Sequence, residues 1–138
     1  MGRSLLVVIG GYVCMSLVVM LGIVLATVAF VPGGLGAAMS APGPAGLPRN
    51  YLVANLIVSF ASAWVGAWVV NRFAASSKRA HVLAFIGLLI VMAIVSALGQ
   101  NPGSGQPAWY PWVIPFVGLA GAAVGGWLSK NDAGAGQR

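Results

Sequence analysis

Four long apolar runs dominate the chain: residues 4–31, 51–70, 82–99 and 109–128. Polar and charged positions are confined to the stretches between and around them. Each run is close to the roughly 20 residues that a helix needs to cross the hydrocarbon of a bilayer. The pattern predicts an all-α, polytopic membrane protein: four transmembrane helices in an antiparallel up-down bundle, forming a single domain over residues 1–138.

Turn chemistry marks the joints. Residues 32–50 are rich in Gly, Pro and Ala and open on Pro32-Gly33-Gly34, which predicts an irregular outer loop containing Arg49. Residues 100–108 hold Pro102, Gly103, Gly105 and Pro107 and predict a second outer loop. The short polar segment 71–81 predicts a tight cytoplasmic connection, so spans two and three should form a helical hairpin. The small, polar tail 129–138 is expected to fray. Pro111 suits the first turn of span four, where a missing N–H costs nothing; Pro115 lies deeper and should kink that helix or delay its start. Span one would be about 42 Å long if wholly helical, so it should tilt or project from roughly 30 Å of hydrocarbon.

Charge sets the expected orientation. Arg3, Arg72, Lys78, Arg79, Lys130 and Arg138 fall on one side of the alternating spans and Arg49 on the other. The excess of cations on cytoplasmic loops then places both termini and the middle loop in the cytoplasm, with a bacterial inner membrane as the expected location. Arg72, Lys78 and Arg79 are expected to contact anionic lipid headgroups. Tyr51, Trp109, Tyr110, Trp112 and Trp127 stand at span ends, where aromatic rings favour the headgroup level.

Composition strengthens the membrane reading. The chain is 59% hydrophobic and only 6% charged, against about 25% charged for a soluble domain. A net charge of +6 does not imply nucleic acid here, because the basic residues are scattered beside apolar runs. The first run, with Arg3 ahead of it, is too long for a cleaved signal and reads as a retained anchor. Cys14 is the single cysteine, which excludes an internal disulfide and the Cys pair of a thiol oxidoreductase; Tyr12 and Val13 before it do not suit a lipid-attachment box.

Within the spans, Asn55, Ser59, Ser62 and Gly66 recur at intervals of four, three and four, and so share one face of span two. This seam is expected either to pack against another helix or to line a pore. Gly118, Gly121 and Gly125 mark a helix–helix interface on span four, inside the bundle or with another subunit; Gly22 and Ala26 repeat the feature more weakly on span one. The Tyr12 phenol is expected to bond Ser16 or Ser62, and Asn55 to lie level with Thr27. His81, the only imidazole, reads as a solvated residue at the cytoplasmic rim, with a ligand role for a pigment or shared metal as the alternative.

What is missing narrows the function. Asp132, the only acid, is in the tail, so no span carries the carboxylate on which proton-coupled transporters depend. Neither paired carboxylates for hydrolysis nor three or four ligands for a metal site occur, and no catalytic residues, metal or cofactor are expected. The preferred expectation is an accessory, assembly or stabilising subunit of a membrane complex, or a homo-oligomer, acting by helix packing on other subunits or on itself. The alternatives are an oligomeric channel or facilitator for a small solute, and a subunit that scaffolds pigment, haem or lipid.

Overall fold

A computed structural model describes residues 2–39, 46–74, 77–99 and 106–135, and among them the side chains of 4–37, 46–74, 77–99 and 106–127. The described residues are helical and contain no strand. Five helices follow one another: α1 (Gly2–Phe30), α2 (Gly34–Met39), α3 (Arg49–Phe73), α4 (Lys78–Leu98) and α5 (Tyr110–Ala135).

Three of these, over Ser4–Phe30, Arg49–Phe73 and Lys78–Leu98, are long and apolar enough to cross a membrane. The expected fourth span coincides with α5, which has 26 residues and carries Pro115 inside it. Leucines and isoleucines stand exposed all along the three apolar helices, among them Leu5, Leu17, Leu25, Ile57, Leu83, Ile94 and Leu98. A soluble monomer rarely exposes contiguous apolar patches beyond a few hundred Å². With lipid as solvent the same surface is ordinary.

Several boundaries differ from the sequence expectation. Arg49 is not in a loop; it opens α3 directly after Pro48, whose fixed φ suits a helix entrance. The segment 32–50 is not wholly irregular. Gly33 and Gly34 turn the chain at φ 84 and φ 60, and Gly-Leu-Gly-Ala-Ala-Met then forms the single short helix α2. The connection between the second and third long helices shrinks to residues 74–77, because Asn71 and Arg72 belong to α3 and Lys78 through His81 to α4. At the other end α5 runs on through the expected tail to Ala135, since extending a formed helix adds a hydrogen bond for each residue fixed. Pro115 is accommodated inside α5 and does not delay its start. Of the outer loop 100–108, residues 100–105 lie outside the described residues. Its last residues lead into a turn closed by Tyr110 N–H donating to the Pro107 carbonyl at 3.0 Å.

Helix α3 is the hub. It packs along α1, α4 and α5, whereas α1 and α5 do not meet among the described residues. Directions follow from facing pairs. Gly11 lies against Val70 and Gly22 against Val58, so α1 runs opposite to α3. Phe60 faces Gly121 and Trp64 faces Gly125, so α5 runs the same way as α3. Val82 faces Gly126, which sets α4 against α5 in opposite directions. A small core of Ala63, Ala67, Val70, Phe85 and Ala122 sits where α3, α4 and α5 converge, and Val7, Tyr12 and Met15 of α1 close it. Small side chains dominate because lipid offers no hydrophobic gain for hiding Leu against Leu. Close backbone approach and dispersion contacts hold the helices together instead.

Candidate functional site: the α3–α5 seam and the grooves beside α4

The most constrained region is the face of α3 turned to α5. Asn55 is buried, and its Nδ2 donates to the Tyr110 hydroxyl at 2.8 Å; that hydroxyl donates onward to the Leu52 carbonyl at 3.3 Å. Sixteen residues further along α3, Asn71 is also buried, and its Nδ2 donates to the Gly126 carbonyl of α5 at 3.3 Å. Two amides thus clamp the two ends of one helix pair. Between the clamps the backbones nearly touch. A Cβ at Gly121 would collide with the Phe60 carbonyl oxygen, and one at Gly125 with the Trp64 carbonyl oxygen. Glycine is required there for proximity, not for its φ.

The remaining sequence-predicted residues divide. Ser62 is buried and its hydroxyl donates to the Ser59 carbonyl at 3.1 Å, one turn back on the same helix. Gly66 fits between α1 and α4: a Cβ there would lie 2.7 Å from Phe85 Cζ and 3.0 Å from Met15 Cβ. Asn55, Ser62 and Gly66 are therefore all occupied by neighbours within the chain, while Ser59 is half-buried. Gly118, unlike Gly121 and Gly125, has open space beside it. Gly22 and Ala26 of α1 do meet structure, the former against Val58 and the latter buried.

Two expected environments change, while Thr27 of α1 stays level with Asn55, as the facing pairs Gly11–Val70 and Gly22–Val58 require. Tyr110 does not turn its ring outward; it is 0% exposed, with Trp109 packed edge-on against it at 5.6 Å between centroids. The first turn of α5 rotates the phenol onto α3, where Asn55 and a carbonyl satisfy it, while Trp109 and Trp112 remain exposed. Asn55 takes Tyr110 as its partner, and Thr27 is buried on α1. Ser16 bonds the Tyr12 carbonyl at 2.9 Å, not the Tyr12 phenol, as a hydroxyl one turn on readily does.

His81 also departs from the solvated reading. It is buried, with Nδ1 3.2 Å from the Ser77 carbonyl. Since a carbonyl only accepts, Nδ1 carries the proton in this bond, which leaves Nε2 as the basic nitrogen. The ring lines a groove of about 790 Å³ between α1 and α4, walled by Leu5, Val8, Ile9, Ala84 and Leu88. A second groove, of about 270 Å³, lies between α4 and α5 and includes Asn71, Lys78, Arg79 and Trp127. Among the described residues no three His, Cys, Asp or Glu side chains gather as metal ligands.

Sequence reading missed Tyr110 as an interior residue and Asn71 as a clamp. A signal for both existed. Asn55 and Asn71 are sixteen residues apart, as are Tyr110 and Gly126, so two parallel helices bring both pairs to matching depths, although sixteen residues turn an ideal helix by about 160° and leave the facing open. Comparison with protein-family models, with curated proteins and with solved structures finds no match to this chain.

Proposed function

We propose that this chain is a four-span protein of the bacterial cytoplasmic membrane, with both termini in the cytoplasm. In this reading it has no catalytic site. It works by helix packing, as an accessory, assembly or stabilising subunit of a larger membrane complex or as a homo-oligomer. The observation that carries the reading is the state of the polar seam. Asn55, Ser62 and Asn71 are buried with their hydrogen bonds made inside the chain, and Gly66, Gly121 and Gly125 are filled by neighbouring helices. Such a face holds a scaffold rigid and offers no vacant polar lining for a solute.

The same clamps support the fourth span. Tyr110 and Gly126 are held level with Asn55 and Asn71, which lie about 24 Å apart along α3 at 1.5 Å per residue. A helix fixed at both ends to a membrane-crossing neighbour shares its depth, whatever its glycine content. Impermeant maleimide labelling in a Cys14→Ser background tests the topology. Ser104→Cys should label from outside intact cells, and Gly136→Cys only after lysis. Labelling of both from outside would refute the orientation.

Packing surface remains for a partner. Gly118 is open, and from Ile90 to Leu98 no residue of α4 is buried. Gly118→Leu should therefore leave the stability of the single chain within about 0.5 kcal/mol. If α5 meets another subunit there, the same change breaks the assembly seen by native mass spectrometry after mild extraction. A wild-type chain that extracts as a monomer with no stoichiometric companion would end the subunit reading.

His81 favours a second reading, in which the α1–α4 groove scaffolds a pigment, haem or other amphiphile. An imidazole whose Nδ1–H is tied to a carbonyl presents Nε2 in the manner of a metal-ligating histidine. An absorption spectrum of gently extracted protein decides it: a visible band that disappears in His81→Ala supports it, and a colourless protein removes pigment and haem.

A further inference from the structure

The groove between α4 and α5 has the polarity of an amphiphile. Lys78, Val82 and Ile86 follow one another at intervals of four and so share one face of α4; all three line the groove, with Arg79 beside the first. Charge is thus concentrated at one end, in the first turn of α4, and the lining deeper along the helix is apolar. Ala123 supplies the opposite wall, and the exposed indole of Trp127 stands on the α5 side. Trp rings favour the headgroup boundary, which is where the two cations lie if α4 spans the bilayer.

The electrostatics ask for an anion. Two cations occupy the first turn of α4, the end at which the helix dipole is positive and cationic side chains are disfavoured. That turn has no acidic residue, and its N-cap Ser77 makes no side-chain capping bond. The whole chain holds a single acidic side chain, Asp132, so it cannot neutralise both cations. A phosphate would meet Lys78 and Arg79 with charge-assisted hydrogen bonds. It would also relieve their mutual repulsion.

We propose that the α4–α5 groove holds the phosphate and the proximal acyl chain of an anionic phospholipid, with Lys78 and Arg79 on the phosphate and Val82, Ile86 and Ala123 on the chain. A volume of about 270 Å³ accommodates that part of a lipid, and the groove is open, so the rest of the molecule stays in the bilayer. Arg72, grouped with these cations by sequence, does not line the groove. The site rests on α4 and α5 lying in the membrane, but not on any subunit role for the chain.

The test is lipid retention. The full chain is reconstituted in nanodiscs of mixed phosphatidylcholine and phosphatidylglycerol, released into mild detergent, and its retained lipid is identified by native mass spectrometry. Recovery in the nanodisc itself checks membrane residence, separately from lipid choice. The wild type should keep phosphatidylglycerol in preference to phosphatidylcholine. Lys78→Gln with Arg79→Gln should reduce that preference roughly thirtyfold, given what each basic side chain near an anionic surface contributes. Both positions are exposed, so the double variant should fold. Ala123→Phe, which fills the apolar wall without touching charge, should reduce retention of phosphatidylglycerol as well. Arg72→Gln should leave it unchanged. Equal retention of the two lipids, an unaltered double variant, or Arg72→Gln as damaging as the double variant would each overturn the proposal. So would displacement of the lipid by excess inorganic phosphate, which would mean that the site takes the free anion.

Discussion

Gly121→Leu is expected to destabilise the helix assembly by about 3 kcal/mol or more, read as a shift in unfolding by denaturing detergent or by steric trapping in bicelles. Overpacking a well-filled interior ordinarily costs about 1–3 kcal/mol because side chains can partly yield. At Gly121 the obstacle is the Phe60 carbonyl, a backbone atom inside α3, and it cannot rotate away. Relief requires α5 to withdraw from α3 along its length. That movement would strain the Asn55–Tyr110 and Asn71–Gly126 bonds at both ends. Gly118→Leu, three residues earlier on the same helix, is the internal control, because nothing stands beside it. Equal effects at the two glycines would show that helix propensity, and not proximity, governs the response.

Tyr110→Ala is the second large effect, expected at about 3 kcal/mol or more by the same measurement. The ring is the largest fully buried side chain among the described residues, so its removal leaves a cavity at the entrance of α5. Asn55 also loses its acceptor and is left with a buried, unpaired amide. Tyr110→Phe separates the two contributions. It keeps the ring and removes only the hydroxyl, and should cost about 1 kcal/mol, the usual scale of interhelical hydrogen bonds in membranes. In a double-mutant cycle with Asn55→Leu, most of that cost should vanish once the amide is gone. A Tyr110→Ala variant as stable as wild type would mean that α5 docks without its first turn.

The two effects show how much was legible beforehand. Small residues and the Asn55 amide at helical spacing on span two singled out a face that either packs or lines a pore, because in lipid only close approach and polar bonding distinguish one face of an apolar helix from another. Gly121 and Gly125 were likewise visible as a pair. The sequence could not separate them from Gly118, which has the same chemistry and lies one turn away. Tyr110 was misplaced for a physical reason. An aromatic at a span end satisfies its hydroxyl equally well at the headgroups or against a buried amide, and composition does not discriminate. His81 was misjudged in the same way, since nothing in its neighbours along the chain reveals that it is buried beside a groove shared with α1.

By itself the sequence determined the four long helices, though not α2 or the run of α5 to Ala135, and it marked the three stretches that are long and apolar enough to cross a bilayer. Those properties depend on hydropathy and backbone preference over windows of some twenty residues, and bilayer thickness selects them directly. The tertiary structure alone decided the rest: that α3 is the hub, that α5 runs beside it in the same direction, and that Tyr110 and Asn71 turn inward while Gly118 turns out. Those outcomes depend on the rotation of each helix about its own axis. For α3 and α5 that rotation is set by contacts between residues 55 or more positions apart, and no local stretch of chain records it.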